Sequence, residues 1–206
     1  MVRAKVCGLT SEADVAAAVE AGADAVGFIV DVDVDSPREI SAEKAASLEA
    51  SVPPFVTTTL VTMPDNAAQA ITLADLVQVD AVQLHGLDPG SLSVVIESFR
   101  GPVFPAISPD EIPEYKNLGD ALLVDTPSEG GGGGTGETHD WAATRDATAD
   151  LDRPLILAGG LTPDNVVEAI ETVRPYAVDV ASGVEAAPGE KDPDAVEAFV
   201  ERAHRA

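Results

Sequence analysis

Eight times along the chain, a short apolar run is followed by a stretch whose apolar residues recur at helical spacing. The runs cover residues 3–8, 25–30, 55–62, 81–85, 102–107, 121–125, 155–158 and 176–180. Runs as continuous as Ala25-Val-Gly-Phe-Ile-Val30 suit parallel strands covered on both faces. Helices are expected over residues 11–22 and 41–50, after Pro64-Asp65, over 91–99, weakly over 109–117, from Trp141, and from Asp192-Pro193. Ser11 with Asp14 three positions on is a helix-start signature, Asp88-Pro89 and Asp192-Pro193 place proline just inside a helix, and Gly22 is a stop. Thr162-Pro163 reads in the same way, as cap and start of a helix reaching Val173. Alternating strand and helix leaves an open doubly wound sheet or a closed barrel. Eight units in 206 residues complete the second, so the expected fold class is α/β, a single-domain (β/α)8 TIM barrel over residues 1–206.

In such folds ligands bind at the carboxyl ends of the strands, which singles out what stands there. Cys7, the sole cysteine, ends the first run just before a helix start. A free cysteine is commonly a small buried hydrophobe. At this edge, facing a helix N-terminus, it is also a candidate base or nucleophile whose thiol would ionise more readily than an ordinary one. Asp125 follows Leu122-Leu-Val124, where desolvation would raise its pKa; a helix cap or a solvated loop residue is the other reading. Gly159-Gly160 and Ser182-Gly183 follow the seventh and eighth runs, where backbone N–H groups and a helix N-terminus form the phosphate site of many barrels. One such turn is explained by capping, whereas two at these strands point to phosphate. His85 ends the fourth run and either faces the pocket or is a hydrogen-bonded structural histidine. The longest loop, residues 126–140, holds five successive glycines at 130–134 and is either a flexible linker or a lid over the active face.

Charge narrows the partners. With 36 acidic and 12 basic residues the net charge is −24, and no basic stripe exists to replace phosphate counterions, which argues against nucleic acid. Self-repulsion on this scale calls for screening, as in a salt-rich cytoplasm. No apolar run approaches the roughly 18 residues of a membrane span, so a soluble, cytoplasmic protein with no membrane partner is expected. One cysteine excludes an internal disulfide, and no Cys/His spacing suits zinc, so no metal is expected. No heptad or long apolar patch declares an oligomeric state.

Taken together, Lys5-Val-Cys-Gly-Leu-Thr10, Val82-Gln-Leu-His-Gly86, Leu123-Val-Asp125, Gly133-Gly-Thr-Gly136 with Asp140-Trp141, Leu157-Ala-Gly-Gly-Leu161 and Asp179-Val-Ala-Ser-Gly-Val-Glu185 resemble the phosphoribosylanthranilate isomerase family of tryptophan synthesis. The resemblance runs in order along the chain. It implies a cofactor-free Amadori rearrangement of a small phosphorylated substrate, with Cys7 as general base and Asp125 as general acid. It also implies that Arg38 and Asp179 meet the anthranilate side of the substrate, and that Gly159, Gly160, Ser182 and Gly183 hold its phosphate. By itself Arg38 reads as readily as a surface charge. Glu137 departs from the Lys or Gln common in relatives, and three additional glycines precede Gly133. Two other readings stand beside this one. The histidine-pathway isomerase uses two aspartates, against which Cys7 argues, and a non-catalytic phosphosugar-binding barrel would keep the glycine turns without turnover.

Overall fold

The structure, a computed structural model, describes residues 1–126 and 140–206. Strands β1 (Arg3–Cys7), β2 (Ala25–Ile29), β3 (Thr57–Thr62), β4 (Ala81–His85), β5 (Val103–Ile107), β6 (Leu122–Val124), β7 (Leu155–Leu157) and β8 (Ala177–Val180) pair in parallel in chain order. β1 also pairs with β8, Lys5 opposite Asp179, which closes the barrel and leaves no open edge among these strands. Helices α1 (Glu12–Glu20), α2 (Ala42–Glu49), α3 (Ala67–Val77), α4 (Pro89–Ser98), α5 (Ile112–Tyr115), α6 (Trp141–Ala147), α7 (Val166–Val173) and α8 (Pro193–Arg205) follow the strands one by one.

Alternation along each strand sorts its side chains into two layers. Val6, Phe28, Leu60 and Leu122 face outward and pack with Val15, Leu48, Leu92 and Phe199 from the helices. Phe104, Leu123, Ile156, Ala158 and Ala177 form a second, smaller cluster inside the barrel. Phe28 and Phe199 are fully buried, and each such side chain contributes about 1.5–3 kcal/mol. The inward positions above that plug include the polar side chains of Lys5, Cys7, Gln83, His85 and Asp179, which form the site described below.

The expected starts of α1, α4 and α8 are present. Ser11 and Asp14 form a reciprocal capping box, and the Asp88 and Asp192 carboxylates each accept two backbone N–H groups of the helix that follows. Other expectations need correction. Strand β3 begins at Thr57 and not at residue 55, because Phe55 lies in a left-handed turn (φ 75) with its ring fully exposed. The weak fifth helix is a 3-10 turn, Pro109–Glu111, running into the single turn of α5. Thr162 does not cap α7, which starts at Val166 with Asn165 in the cap position. The Asn165 amide instead donates to the Gly160 carbonyl (2.9 Å) and accepts from Thr162 N–H (2.8 Å), stapling the turn after β7. The eighth unit is also longer than expected. A 3-10 turn, Ser182–Val184, and a hairpin of β9 (Glu185–Ala187) and β10 (Glu190–Lys191) precede α8. Gly133, Gly136, Glu137 and the glycine run at 130–134 lie outside the described residues.

Candidate active site

A cavity of about 380 Å³ opens at the carboxyl ends of the strands, and every residue singled out above for chemistry or binding lines it. Cys7 ends β1 and Asp125 follows β6, nearly across the barrel from each other in strand order. Gly159 and Gly160 follow β7, both with positive φ (88 and 66). A Cβ at Gly159 would stand 2.4 Å from the Thr126 nitrogen, and one at Gly183 would stand 1.8 Å from the Leu161 carbonyl oxygen, so neither turn has room for a side chain. No hydrogen bond within the described residues uses the amide N–H of Gly159, Gly160, Ser182 or Gly183. Four backbone donors thus border one end of the cavity without an acceptor there, the arrangement a phosphate requires.

Arg38 is no surface charge. It is 7% exposed, and its Nε and Nη2 donate to the two carboxylate oxygens of Glu185 at 2.7 and 2.9 Å. Lys191, from β10, shares Glu185 Oε1 at 3.0 Å and donates to the Ala181 carbonyl at 2.8 Å. Burial pushes the Glu185 carboxyl up, but hydrogen bonds and charge from Arg38 and Lys191 more than reverse this and hold it below its ordinary value. Glu185 is thus shared by two buried cations.

A second buried pair joins β1 to β8. Lys5 Nζ donates to Asp179 Oδ2 at 2.8 Å and to Gln83 Oε1 at 3.0 Å. Burial alone would lower the Lys5 pKa, and the charges of Asp179 and Cys7 overcome it, so the ammonium is held above its ordinary value. Asp179 Oδ1 is buried without a hydrogen-bond partner among the described residues and lines the cavity, a spare acceptor for an incoming N–H or O–H.

The two proton-transfer candidates are both shifted upward. Burial, then the neighbouring charge of Asp179, raises Asp125 from 3.8 to about 6, against the pull of a hydrogen bond from Thr126 N–H. That matches the expectation of desolvation after an apolar run. Cys7 departs from expectation, because burial pushes the thiol up and the nearby ammonium groups of Lys5 and Lys191 only partly offset it. The strand end is dry, and the charges that oppose this burial come from two lysines. His85 also titrates far from its usual range, lowered to about 4 by burial and then by the Lys5 charge, so it is neutral at working pH.

Lys5, Gln83, Glu185 and Lys191 are the contributors that sequence reasoning assigned no role. For two of them a signal existed, since Lys5 and Gln83 stand two positions before Cys7 and His85 and therefore share their faces of β1 and β4. Gly27 completes the arrangement on β2, because a Cβ there would lie 2.9 Å from Cys7 Sγ and 3.2 Å from Lys5 Nζ. Among the described residues, no group of three or more His, Cys, Asp or Glu side chains is placed to hold a metal ion, and no helix is long and apolar enough to cross a membrane.

Comparison with known proteins adds an independent line. Residues 4–202 match the family described as N-(5'phosphoribosyl)anthranilate (PRA) isomerase. The N-(5'-phosphoribosyl)anthranilate isomerase of Haloferax volcanii is 56% identical over 212 residues, covering 100% of this chain and 95% of that protein. The crystal structure of phosphoribosyl anthranilate isomerase from Thermotoga maritima superposes with a TM-score of 0.88 at 39% identity, covering 100% of both chains. A further phosphoribosyl anthranilate isomerase, in complex with reduced 1-(o-carboxyphenylamino)-1-deoxyribulose 5-phosphate, superposes with a TM-score of 0.83 at 37% identity and equal coverage.

Proposed function

The chain belongs to the N-(5'-phosphoribosyl)anthranilate isomerase family, and from that premise we propose that residues 1–206 act as one catalytic domain in which Cys7 is the general base and Asp125 the general acid. The reaction is the Amadori rearrangement of N-(5-phosphoribosyl)anthranilate to 1-(2-carboxyphenylamino)-1-deoxyribulose 5-phosphate, an aldose–ketose isomerisation of tryptophan biosynthesis. The observation that carries the assignment is that Cys7 and Asp125 line one cavity with the two side-chain-free glycine turns.

The substrate phosphate docks on the N–H groups of Gly159, Gly160, Ser182 and Gly183, with the Arg38–Glu185–Lys191 triad near by. Arg38, its guanidinium oriented by the fork to Glu185, faces the anthranilate carboxylate. The spare oxygen of Asp179 accepts from the anthranilate side. Asp125 in its acid form gives its proton to the furanose ring oxygen. The C1′–O bond breaks as the nitrogen lone pair forms the Schiff base, and Asp125 is left as carboxylate. Cys7 as thiolate takes the C2′ proton, and that electron pair forms the C1′=C2′ bond of the enolamine while the imine electrons return to nitrogen. Proton loss from the C2′ hydroxyl and proton gain at C1′ then give the ketose, with no net redox change.

Desolvation keeps about a tenth of Asp125 protonated at pH 7, from its value of about 6. Lys5 and Lys191 favour the thiolate form of Cys7 against its burial. The test is the decay of phosphoribosylanthranilate fluorescence in molar KCl, with the parent compared to Cys7→Ala and Asp125→Asn. Turnover that falls by about 10² or more in both variants is expected for an acid and a base. A folded parent that binds the reduced product analogue without converting substrate would overturn the enzyme reading in favour of a phosphosugar-binding barrel.

A further inference from the structure

Lys5, Gln83 and His85 form a polar chain across β1 and β4 whose directions of donation are set by chemistry alone. The Lys5 ammonium has donors and no acceptor, so the Gln83 atom 3.0 Å from it must be the amide oxygen. The Gln83 amide nitrogen therefore faces His85, 3.0 Å from Nε2. An amide nitrogen donates and does not accept, so Nε2 must be the bare nitrogen of the ring. The proton of the neutral imidazole is then on Nδ1, which has no hydrogen-bond partner among the described residues, and the half-buried ring lines the cavity.

We infer that His85 is a substrate-positioning residue, a neutral imidazole held by Lys5 through Gln83 so that its Nδ1–H donates to an oxygen of the bound phosphosugar. The inference rests on the isomerase reading and assigns this residue no proton-transfer role. A second proton on the ring would set Nε2–H against the Gln83 amide and add a cation facing Lys5 from β1. The one acidic side chain acting in the other direction is Glu111, from the 3-10 turn after β5. The lowered pKa agrees with the geometry, since the ring stays uncharged throughout the working range. Neutrality also suits the chemistry. A cationic donor lining the same cavity as Asp125 would favour that carboxyl's ionised form and drain the acid needed for ring opening, whereas a neutral donor adds a hydrogen bond without that effect.

The test reads the tautomer and the binding separately. The chain has three histidines, so ¹⁵N-detected spectra of the imidazoles are sparse, and His85→Asn assigns the signal that disappears. The parent is expected to show pyrrole-type Nδ1 and pyridine-type Nε2 at His85, unchanged between pH 8 and pH 5. Gln83→Glu replaces the amide donor with an acceptor of the same shape, so Nε2 must take up a proton and the spectrum must change. In titrations with reduced 1-(2-carboxyphenylamino)-1-deoxyribulose 5-phosphate, His85→Ala is expected to bind about tenfold more weakly, the scale of one lost hydrogen bond. His85→Asn, whose amide mimics Nδ1–H, is expected to recover most of that loss, and Gln83→Glu to share it. A parent ring protonated on Nε2, or a His85→Ala protein that binds the analogue as tightly as the parent, overturns the inference. Because neither readout uses turnover, a parent that proved catalytically inert would remove the isomerase reading while leaving the tautomer result standing.

Discussion

Replacing Asp125, the proposed general acid, should make the protein more stable, and the size of the gain should depend on pH. An aspartate at its ordinary value ionises near 3.8, whereas Asp125 in the folded barrel does so at about 6. A separation of about 2 units is worth roughly 3 kcal/mol. Between the two values the folded chain holds a proton that the unfolded chain has released, so stability falls as pH rises through this window. Above pH 6 the full penalty is in place, and below pH 4 almost none remains. Asn at position 125 carries no charge to desolvate, and its oxygen still accepts the Thr126 N–H that the carboxylate holds at 2.7 Å. Asp125→Asn should therefore exceed the parent by about 3 kcal/mol at pH 8 and by only about 0.5 kcal/mol at pH 4. For a chain of this length the first figure corresponds to roughly 6 to 12 °C in Tm. Urea titrations in molar KCl at the two pH values measure the difference directly, and KCl is held constant so that charge screening cancels. A gain of equal size at both pH values, or a loss at pH 8, would refute the claim that Asp125 is held in a costly protonatable state.

Gly27→Ala should fold yet lose activity. Its Cβ falls 2.9 Å from Cys7 Sγ, so kcat is expected to drop by at least about tenfold, with a stability cost of about 1–3 kcal/mol, measured by the fluorescence assay and by urea titration. In the proposed mechanism the active form combines protonated Asp125 with ionised Cys7, the minority state of each. Log kcat/KM should therefore rise to about pH 6, stay level, and fall only above the raised thiol value, and a peak confined below pH 6 would contradict the pairing. Glu185→Gln removes the carboxylate that two buried cations, Arg38 and Lys191, share, and should cost about 3–5 kcal/mol in urea titrations; a cost below 1 kcal/mol would mean that the triad is not held by charge. Stopped-flow association of the reduced product analogue should speed up as KCl rises from 0.1 to 1 M, over the range where circular dichroism reports a folded protein. The net charge of −24 repels an anionic ligand at long range, and an on-rate that falls with salt would show that local attraction governs the encounter instead.

The barrel was legible because its signal is repeated. Most units carry the same local choices, an apolar run and then a capped helix, and their agreement outvotes individual errors such as Phe55 or Thr162. The errors have a common physical form. Phe55 is apolar and looks like a strand residue, but a left-handed backbone turn and full exposure override that preference. Thr162-Pro163 has the residue types of a helix start, but Asn165 three positions on competes for the same turn by bonding both Thr162 N–H and Gly160 C=O. In the site, Cys7, Asp125 and the glycine turns were legible because each ends a strand. Lys5 and Gln83 share a face with residues already singled out, and strand alternation alone would have found them. The pairing of Lys5 with Asp179 was not readable, because it exists only when β8 closes on β1 across 174 positions of sequence. Lys191 and Glu185 depend in the same way on the β9–β10 hairpin, which turns back toward Arg38.

Those late pairings explain how so acidic a chain can hold an anionic substrate. The Haloferax volcanii relative comes from a salt-loving archaeon, and this chain has the composition of such a setting, with only four lysines among its 12 basic residues. Two of the four, Lys5 and Lys191, are buried at the cavity, each 4% exposed. At about 1 M salt the Debye length is roughly 3 Å, so charges on the surface neither attract nor orient a ligand beyond contact distance. A buried pair is screened far less, and Lys5–Asp179 and Arg38–Glu185–Lys191 keep their interactions where exposed pairs lose theirs. Burial alone would depress both lysines, and their carboxylate partners oppose that loss of charge. The carboxylates of the interior thus have a different task from those of the surface. Outside, they keep a salt-bathed chain dispersed; inside, Asp179 and Glu185 favour the charged forms of Lys5 and Lys191, which in the proposed mechanism support the Cys7 thiolate.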